Sequence, residues 1–144
     1  MIYITGDTHG DFIGVKLFCE KFNTSKEDIL IILGDAGINY CNDKRDLYVK
    51  DRLSQLPITL FCIHGNHEMR PESVGTYKVS SWHGGKVYVE SKYPNIIGSD
   101  TNEPIIMYIT PINIATIPII NPYLLVRLLI REITPIIIKK IPVA

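Results

Sequence analysis

Residues 2–11 read IYITGDTHGD, and this stretch decides the fold because its pattern returns twice further along the chain. Residues 29–37 read ILIILGDAG, and residues 58–68 read ITLFCIHGNHE. Each stretch is a short apolar run that ends at a glycine next to acidic or other polar residues, which is typical of a strand followed by a loop. We therefore predict three strands, each of which leads into a polar loop.

Apolar residues at helical spacing separate these strands. Asp11 is a suitable N-cap for a first helix, and residues 43–56 predict a second helix that ends before Pro57. The continuous apolar run at 29–33 suits a strand that is buried on both faces of a parallel sheet. The order β-α-β-α-β with short connections therefore predicts an α/β fold built on a parallel sheet with right-handed crossovers.

Length, charge and cysteine content narrow the classes of protein. The 144 residues suffice for one modest domain, and 15 Lys and Arg balance 15 Asp and Glu without a basic run, which argues against specific nucleic-acid binding. Three widely spaced cysteines predict free thiols rather than a disulfide framework or a zinc knot. Without a basic, apolar leader at its start, the chain is expected in the cytoplasm.

The composition changes after residue 97. Residues 98–144 contain 14 isoleucines and six prolines, and they lack glycine after Gly98. Prolines at this density exclude a long regular helix and most central strands. Residues 104–126 are free of charge and long enough for a membrane span, but the four prolines among them argue against one. We therefore divide the chain into a domain at 1–97 and an atypical Ile/Pro-rich tail at 98–144 that does not belong to the fold.

Polar side chains follow each of the three predicted strands. Asp7 and His9 follow the first, Asp35 follows the second, and Asn66 and His67 follow the third. The carboxyl ends of parallel strands share one edge of the sheet, where α/β proteins bind ligands, so these side chains are expected to converge. Carboxylate, imidazole and amide groups form a ligand set for Mn, Fe or Zn. Any one cluster alone is equally compatible with an ordinary polar turn.

Taken together, the three clusters resemble the signature of the calcineurin-like metallophosphoesterases: Asp-x-His, then Gly-Asp, then Gly-Asn-His-Glu. The resemblance covers residues 1 to about 97, including Ser81–Val87, which is similar to the continuation in small bacterial members. It implies a layered αββα fold whose C-terminal half is incomplete here. It also implies that Asp7 and His9 bind a first metal, that Asp35 bridges two metals, and that Asn66 binds the second.

The same resemblance places His67 near the substrate, where it would stabilise or protonate the leaving oxygen. Two cations about 3.5–4 Å apart activate a water molecule and neutralise the phosphoryl oxygens during hydrolysis of a phosphoester. Arg70 is a further candidate for a phosphate contact. The plainer interpretation is that the chain has already turned away from the active edge of the sheet at this residue.

The chain also departs from the family pattern, because the later metal-ligand histidines and a Gly-His-x-His are missing. Its four histidines are His9, His64, His67 and His83. We interpret His64 as packed or hydrogen-bonded to the backbone and His83 as solvated or structural. A second metal would be held only by Asp35 and Asn66, which are weak oxygen donors.

Three functions remain open from the sequence. The first is a metal-dependent hydrolase of phosphomonoesters or phosphodiesters with two metals, or only one in this chain. The second is a non-catalytic remnant that binds one metal weakly. The third is a membrane-associated or partner-binding protein that acts through its Ile/Pro-rich tail. The family signature favours the first function, and the missing histidines favour the second.

Overall fold

The computed structural model describes residues 1–99 and the backbone of residues 105–107 and 136–138. The first elements are β1 (Ile2–Thr5), α1 (Phe12–Phe22), β2 (Ile29–Leu33), α2 (Lys44–Ser54) and β3 (Thr59–Ile63). A 3-10 turn (Pro71–Ser73) is followed by β4 (Tyr77–Trp82), β5 (Gly85–Glu90) and β6 (Ile96–Ser99). The predicted order β-α-β-α-β is confirmed, and three further strands extend it.

Six strands form one mixed sheet in the order β1-β2-β3-β6-β5-β4. β1, β2, β3 and β6 are mutually parallel, as predicted for the first three strands, whereas β5 pairs antiparallel with both of its neighbours, β6 and β4. The antiparallel pair arises at a two-residue hairpin loop, His83-Gly84, between the paired residues Trp82 and Gly85. Both loop residues have positive φ, 47° and 79°, which is the conformation of a type I′ turn. The α/β class is therefore confirmed, with a mixed rather than purely parallel sheet.

Both helices pack on the same face of the sheet. Val15 and Cys19 of α1 and Leu53 of α2 join sheet residues in one buried cluster, whose other members include Leu30 and Leu60. The opposite face carries a second cluster of Ile31, Phe61, Ile63, Val87 and Ile97. The period-two alternation of side chains accounts for this division, since neighbouring residues of a strand point to opposite faces.

The ends of the helices follow from their capping residues. The Asp11 carboxylate accepts a hydrogen bond from the Gly14 N–H at 2.8 Å, so the predicted N-cap of α1 is confirmed. α2 begins after Asp43, which accepts from Arg45 N–H, and it ends at Ser54 rather than at residue 56. The next two amides instead bond to carbonyls three residues back, because the chain tightens before Pro57.

The boundary predicted at residue 97 lies inside β6, which continues to Ser99. In the tail, β7 (Ile105–Met107) and β8 (Ile136–Ile138) pair as an antiparallel two-stranded sheet. We predicted that the prolines of the tail exclude a long helix and most central strands, and that they argue against a membrane span over 104–126. Apart from β7 and β8, these predictions fall on residues outside the described part of the chain. Within that part, no helix has the length and apolar character needed to cross a membrane.

Candidate metal centre

Three loops meet at the carboxyl edge of the sheet, because β1, β2 and β3 are parallel neighbours. The first loop (6–11) follows β1, the second loop (34–43) follows β2, and the third loop (64–70) follows β3. The predicted site residues lie on these loops: Asp7 and His9 on the first, Asp35 on the second, and Asn66 and His67 on the third. The sheet therefore brings the three sequence motifs to one edge, as predicted.

Backbone hydrogen bonds join the first loop to the second. The amides of Thr8 and His9 both donate to the Asp35 carbonyl, at 3.2 and 2.8 Å, and the Gly10 amide donates to the Ala36 carbonyl at 2.9 Å. The two loops pass so closely that a Cβ at Gly37 would lie 2.1 Å from the Gly10 nitrogen. A residue other than glycine at position 37 would therefore separate the loops.

A buried carboxylate, Glu68, joins the second loop to the third. Its Oε1 accepts from the amides of Gly37 and Ile38 at 2.8 and 3.0 Å, and its Oε2 accepts from the Gly65 amide at 3.5 Å. The Met69 amide adds a bond of 2.7 Å to the Asn39 carbonyl. Glu68 thus satisfies backbone donors on two loops with one side chain, and it fixes their separation.

The predicted ligands Asp7, His9 and Asp35 lie together at the joined loops. One ligand atom from each of them lies within 4.8 Å of the other two. Asp7 and His9 are exposed, with 53% and 54% of their side chains accessible, whereas Asp35 is only 5% exposed. The group therefore has a buried carboxylate at its base and two ligands that open to solvent.

These three residues fit a divalent cation. Ligands at about 2.0–2.2 Å from one ion are at most about 4.4 Å apart, so small side-chain rotations bring all three onto a single ion. Two carboxylates and an imidazole suit Mn, Fe or Zn, and the positive ion offsets the two negative charges. His9 Nε2 lies 2.8 Å from Asp7 Oδ2, so an ion between them would replace a contact that already exists.

The third loop places Asn66 and His67 beside Asp35. The His67 amide donates to Asp35 Oδ1 at 3.0 Å, and a Cβ at Gly65 would lie 1.9 Å from the same oxygen. The His67 and His9 rings have centroids 6.4 Å apart. Asn66 and His67 are both exposed. Both residues therefore lie at the rim of the candidate site, and their roles as metal ligand and proton donor stay predictions.

His9 adopts the left-handed backbone conformation, with φ of 48°. This region is uncommon for a residue with a Cβ, although histidine enters it more often than most, and such strain concentrates at functional sites. The two hydrogen bonds from Thr8 and His9 to the Asp35 carbonyl hold the loop in this conformation. The sequence pattern of Asp-x-His-Gly predicted the candidate ligands but not this backbone geometry.

Tyr40 and Glu68 are functional candidates to which the motifs assigned no role. The Tyr40 hydroxyl lies 2.6 Å from His9 Nδ1. Burial, followed by the negative charges of Asp35, Glu68 and Asp7, raises the pKa of Tyr40 to about 12, so its phenol stays protonated at neutral pH. Glu68 was visible as the last residue of Gly-Asn-His-Glu, but no local pattern indicated that it is buried.

The remaining histidines lie outside this cluster. His83 is the first residue of the hairpin turn, is exposed, and packs edge-on against Trp82 with ring centroids 4.5 Å apart. Its interpretation as a solvated or structural residue is therefore supported. His64 is partly buried at the end of β3. Arg70 is exposed at the end of the third loop, and its predicted phosphate contact stays a prediction.

A second acidic group in the described part of the chain, Cys41, Asp43 and Asp46, also has ligand atoms within 4.8 Å of one another. Its carboxylates are already used to begin α2. Asp46 Oδ2 accepts from the amides of Cys41 and Asn42, and Asp43 accepts from Arg45. These contacts explain the cluster as helix capping.

The fold and the site together define an α/β protein with a candidate metal centre at the carboxyl edge of its sheet. The family profile described as calcineurin-like phosphoesterase matches residues 1–132, which is most of the chain. The protein belongs to this family, as the motifs predicted, and the match continues past residue 97, where the recognisable motifs end. Searches of curated proteins and of solved structures gave no match.

Proposed function

We propose that this protein is a metal-dependent phosphoesterase that uses Asp7, His9 and Asp35 to hold a divalent cation. The observation that carries the proposal is the convergence of these three ligands, within 4.8 Å of one another, on loops that are hydrogen-bonded together. Membership of a hydrolase family whose members act on phosphoesters supports the same reaction class. The substrate class is a phosphomonoester or phosphodiester.

Each residue contributes through its position. Asp35 is buried, and its Oδ1 is oriented by the His67 amide, so it forms a fixed anionic base of the site. Asp7 and His9 are exposed at the opening, where a phosphoester can approach. When bound, a divalent cation supplies the Lewis acidity that activates water and offsets phosphoryl charge. The Asn66 amide offers a further neutral oxygen at the rim.

His67 is proposed as the proton donor to the leaving oxygen. Its backbone amide is bonded to Asp35, so the start of its side chain is held at a fixed distance from the ligand group. An imidazole changes its protonation near neutral pH, which suits a group that must carry a proton to an alkoxide leaving group. General acid catalysis of this kind typically contributes about 10²–10⁴-fold to the rate.

The histidine content favours one tightly bound ion per chain. All four histidines of the sequence lie at or before position 83. Within the part of the chain that the structure describes, the family resemblance leaves a second cation only Asp35 and Asn66 as protein ligands. Oxygen donors alone, one of them neutral, bind a transition metal weakly. We therefore propose a site that binds one Mn or Fe ion tightly and hydrolyses phosphoesters more slowly than relatives with two metals.

The test is hydrolysis of bis(p-nitrophenyl) phosphate and p-nitrophenyl phosphate with added Mn²⁺. Wild-type protein should show metal-dependent turnover that Asp35→Asn reduces at least about 100-fold, because the buried ligand that anchors the ion loses its charge. His67→Asn should lower kcat by about 10²-fold or more while Mn²⁺ affinity stays unchanged. Glu20→Gln, at an exposed carboxylate of α1, is the matched control and should leave the rate unchanged.

Two results would contradict the enzyme proposal. Turnover that persists in Asp35→Asn would place the reaction elsewhere or in a contaminant. Tight binding of one Mn²⁺ without any turnover of either ester would instead favour the non-catalytic remnant, which the absence of the later histidine ligands also favours.

A further inference from the structure

The contact between Tyr40 and His9 joins two loops at the candidate metal centre. The Tyr40 hydroxyl lies 2.6 Å from His9 Nδ1, while His9 Nε2 lies 2.8 Å from Asp7 Oδ2. The two ring nitrogens of His9 therefore have different environments. Nε2 contacts the candidate ligand Asp7, and Nδ1 contacts the phenol of Tyr40.

The chemistry of imidazole gives this arrangement a consequence. A neutral histidine carries one ring proton, and the nitrogen that binds a metal must be the one without it. If Nε2 binds a cation next to Asp7, the proton is on Nδ1 and needs an acceptor. Histidine ligands in metal sites generally donate this second N–H to a carboxylate, carbonyl or water, which fixes the ring orientation and increases its basicity.

We propose that Tyr40 is the positioning residue for His9: its hydroxyl oxygen accepts the Nδ1–H and thereby presents Nε2 to the cation. The inference rests on the metal site proposed above. A tyrosine hydroxyl can both donate and accept, so it can also donate to Nδ1 when the metal is absent and Nε2–H donates to Asp7. Tyr40 is thus compatible with both tautomers of His9.

The backbone on each side of this contact is held in place. The His9 amide donates to the Asp35 carbonyl at 2.8 Å. On the other side, Ile38 N–H donates to Glu68, and the Asn39 side-chain amide donates to the Tyr77 hydroxyl at 3.1 Å. Because the residues that precede Tyr40 are bonded to the third loop and to β4, the chain that carries its ring is held in place before any metal binds.

Isothermal titration of the full chain with Mn²⁺ tests the proposal without any activity assay. Tyr40→Phe keeps the ring and removes the acceptor, so Mn²⁺ affinity should fall about 10-fold, at the lower end of the 10–100-fold range for partners of metal ligands. Tyr48→Phe is the matched control, because Tyr48 lies on α2 and its ring packs against Phe12. The Mn²⁺ affinity of this variant should equal that of wild type.

A double-mutant cycle separates positioning from other roles. His9→Ala should weaken Mn²⁺ binding more than Tyr40→Phe does, and adding Tyr40→Phe to His9→Ala should cause no further loss, since Tyr40 acts through His9. An equal loss in both backgrounds would mean direct ligation or a general structural effect, and it would overturn the proposal. Wild-type affinity in Tyr40→Phe would overturn it as well.

A spectroscopic readout keeps the test independent of folding. In Zn²⁺-loaded wild-type protein, ¹⁵N-resolved NMR should show His9 with Nδ1 protonated and its proton protected from exchange with water. Tyr40→Phe should lose that protection while its thermal unfolding midpoint stays close to that of Tyr48→Phe. Protonation of Nε2 in the loaded wild type would contradict the proposal. If wild-type protein binds neither Mn²⁺ nor Zn²⁺, the metal site itself is overturned. If wild type binds the metal and Tyr40→Phe binds it as tightly as Tyr48→Phe, only the role of Tyr40 is overturned.

Discussion

The parallel half of the sheet, β1 to β3, and the antiparallel half, β5 and β4, serve the site in different ways. The loops after the parallel strands carry every candidate ligand, and two of those ligands, Asp7 and His9, are more than half exposed. The antiparallel half contributes polar groups that contact helix α2 and the second loop. The buried Glu90 of β5 pairs with Lys50 of α2, and the partly buried Tyr77 of β4 bonds to Asn39 of the second loop.

The difference is one of exposure, and it has an energetic consequence. A ligand at the open edge can be changed at small cost in stability, because water replaces its contacts. A buried ionic or hydrogen-bonded group has no such replacement, so losing one partner leaves the other unsatisfied. We therefore expect variants of the open edge to change metal binding, and variants of the supporting contacts to change the free energy of unfolding.

The buried ion pair between Lys50 and Glu90 should give the largest effect on stability. The two side chains are only 3% and 6% exposed, Glu90 also accepts from Thr76, and the Lys50 ammonium lies 4.9 Å from the centre of the Tyr77 ring. Removing one partner of a buried pair typically costs about 3–5 kcal/mol. Lys50→Met should therefore lower the free energy of unfolding, measured by urea denaturation, by about that amount.

The double variant Lys50→Met/Glu90→Leu sharpens the comparison. With both charges removed no uncompensated ion is left, so stability should recover well above that of Lys50→Met alone. A double variant as unstable as the sum of its single variants would show that Lys50 of α2 and Glu90 of β5 are not energetically coupled.

Glu68 should give the next largest effect, because it lies between the two regions. Glu68→Ala leaves the amides of Gly37 and Ile38 without their acceptor, and each buried unsatisfied donor costs about 1–3 kcal/mol. Urea denaturation should show a loss of at least about 2 kcal/mol, together with weaker Mn²⁺ binding, since the second and third loops separate. Glu68→Gln keeps one acceptor oxygen and should lose less; equal losses would argue that the carboxylate does not join the loops.

The hairpin turn of the antiparallel half should give a smaller effect that is confined to stability. Gly84 has φ of 79°, and an alanine in the left-handed region costs about 1–2 kcal/mol. Gly84→Ala should therefore destabilise the protein by about 1 kcal/mol in urea. His83→Asn gives the Asn-Gly pair that type I′ turns favour, so stability should be kept or improved. Reduced Mn²⁺ binding by His83→Asn would show that His83 is a ligand after all.

An exposed counterpart of the buried pair should give the smallest effect, visible as a pH dependence. Asp51 of α2 accepts from Lys92 at 2.8 Å and from the Tyr93 hydroxyl at 2.9 Å, and these hydrogen bonds hold the pKa of Asp51 below its ordinary value. A depressed carboxyl pKa contributes stability above the unfolded value of about 3.9, and the contribution is lost as the pH falls through the folded pKa.

Asp51→Asn should therefore lower the urea midpoint slightly at pH 6, and the difference from wild type should shrink as the pH falls below about 3.9. High salt should reduce the difference at pH 6, because the pair is exposed to solvent. A difference that grows as the pH falls would have the wrong sign for a carboxylate stabilised in the folded state.

Local sequence patterns were sufficient for the parallel half. Strands such as Ile29–Leu33 are uninterrupted apolar runs, and the polar motifs follow directly where each strand ends. Parallel order then places Asp7, His9 and Asp35 at one edge without any knowledge of long-range contacts. Fold class and candidate ligands could therefore be predicted together.

The antiparallel half depends on contacts that local patterns do not encode. β6 inserts between β3 and β5, although the hairpin precedes it in the chain, and this order arises from pairing between distant residues. Charged side chains are rarely buried without partners, so nothing in the local sequence indicates that Glu68 and Lys50 are buried. Their partners, the backbone amides of the second loop and Glu90, become neighbours only in the folded chain.

Anomalous X-ray scattering from crystals of the full chain soaked in Mn²⁺ tests the proposed metal centre most directly. One strong peak is expected at about 2.2 Å from a carboxylate oxygen of Asp7, from His9 Nε2 and from a carboxylate oxygen of Asp35. A second, weaker peak between Asp35 and Asn66 is expected only at high Mn²⁺ concentration, because two oxygen donors hold it poorly. A strong peak at Cys41, Asp43 and Asp46 instead, or none at the joined loops, would contradict the assignment of the site.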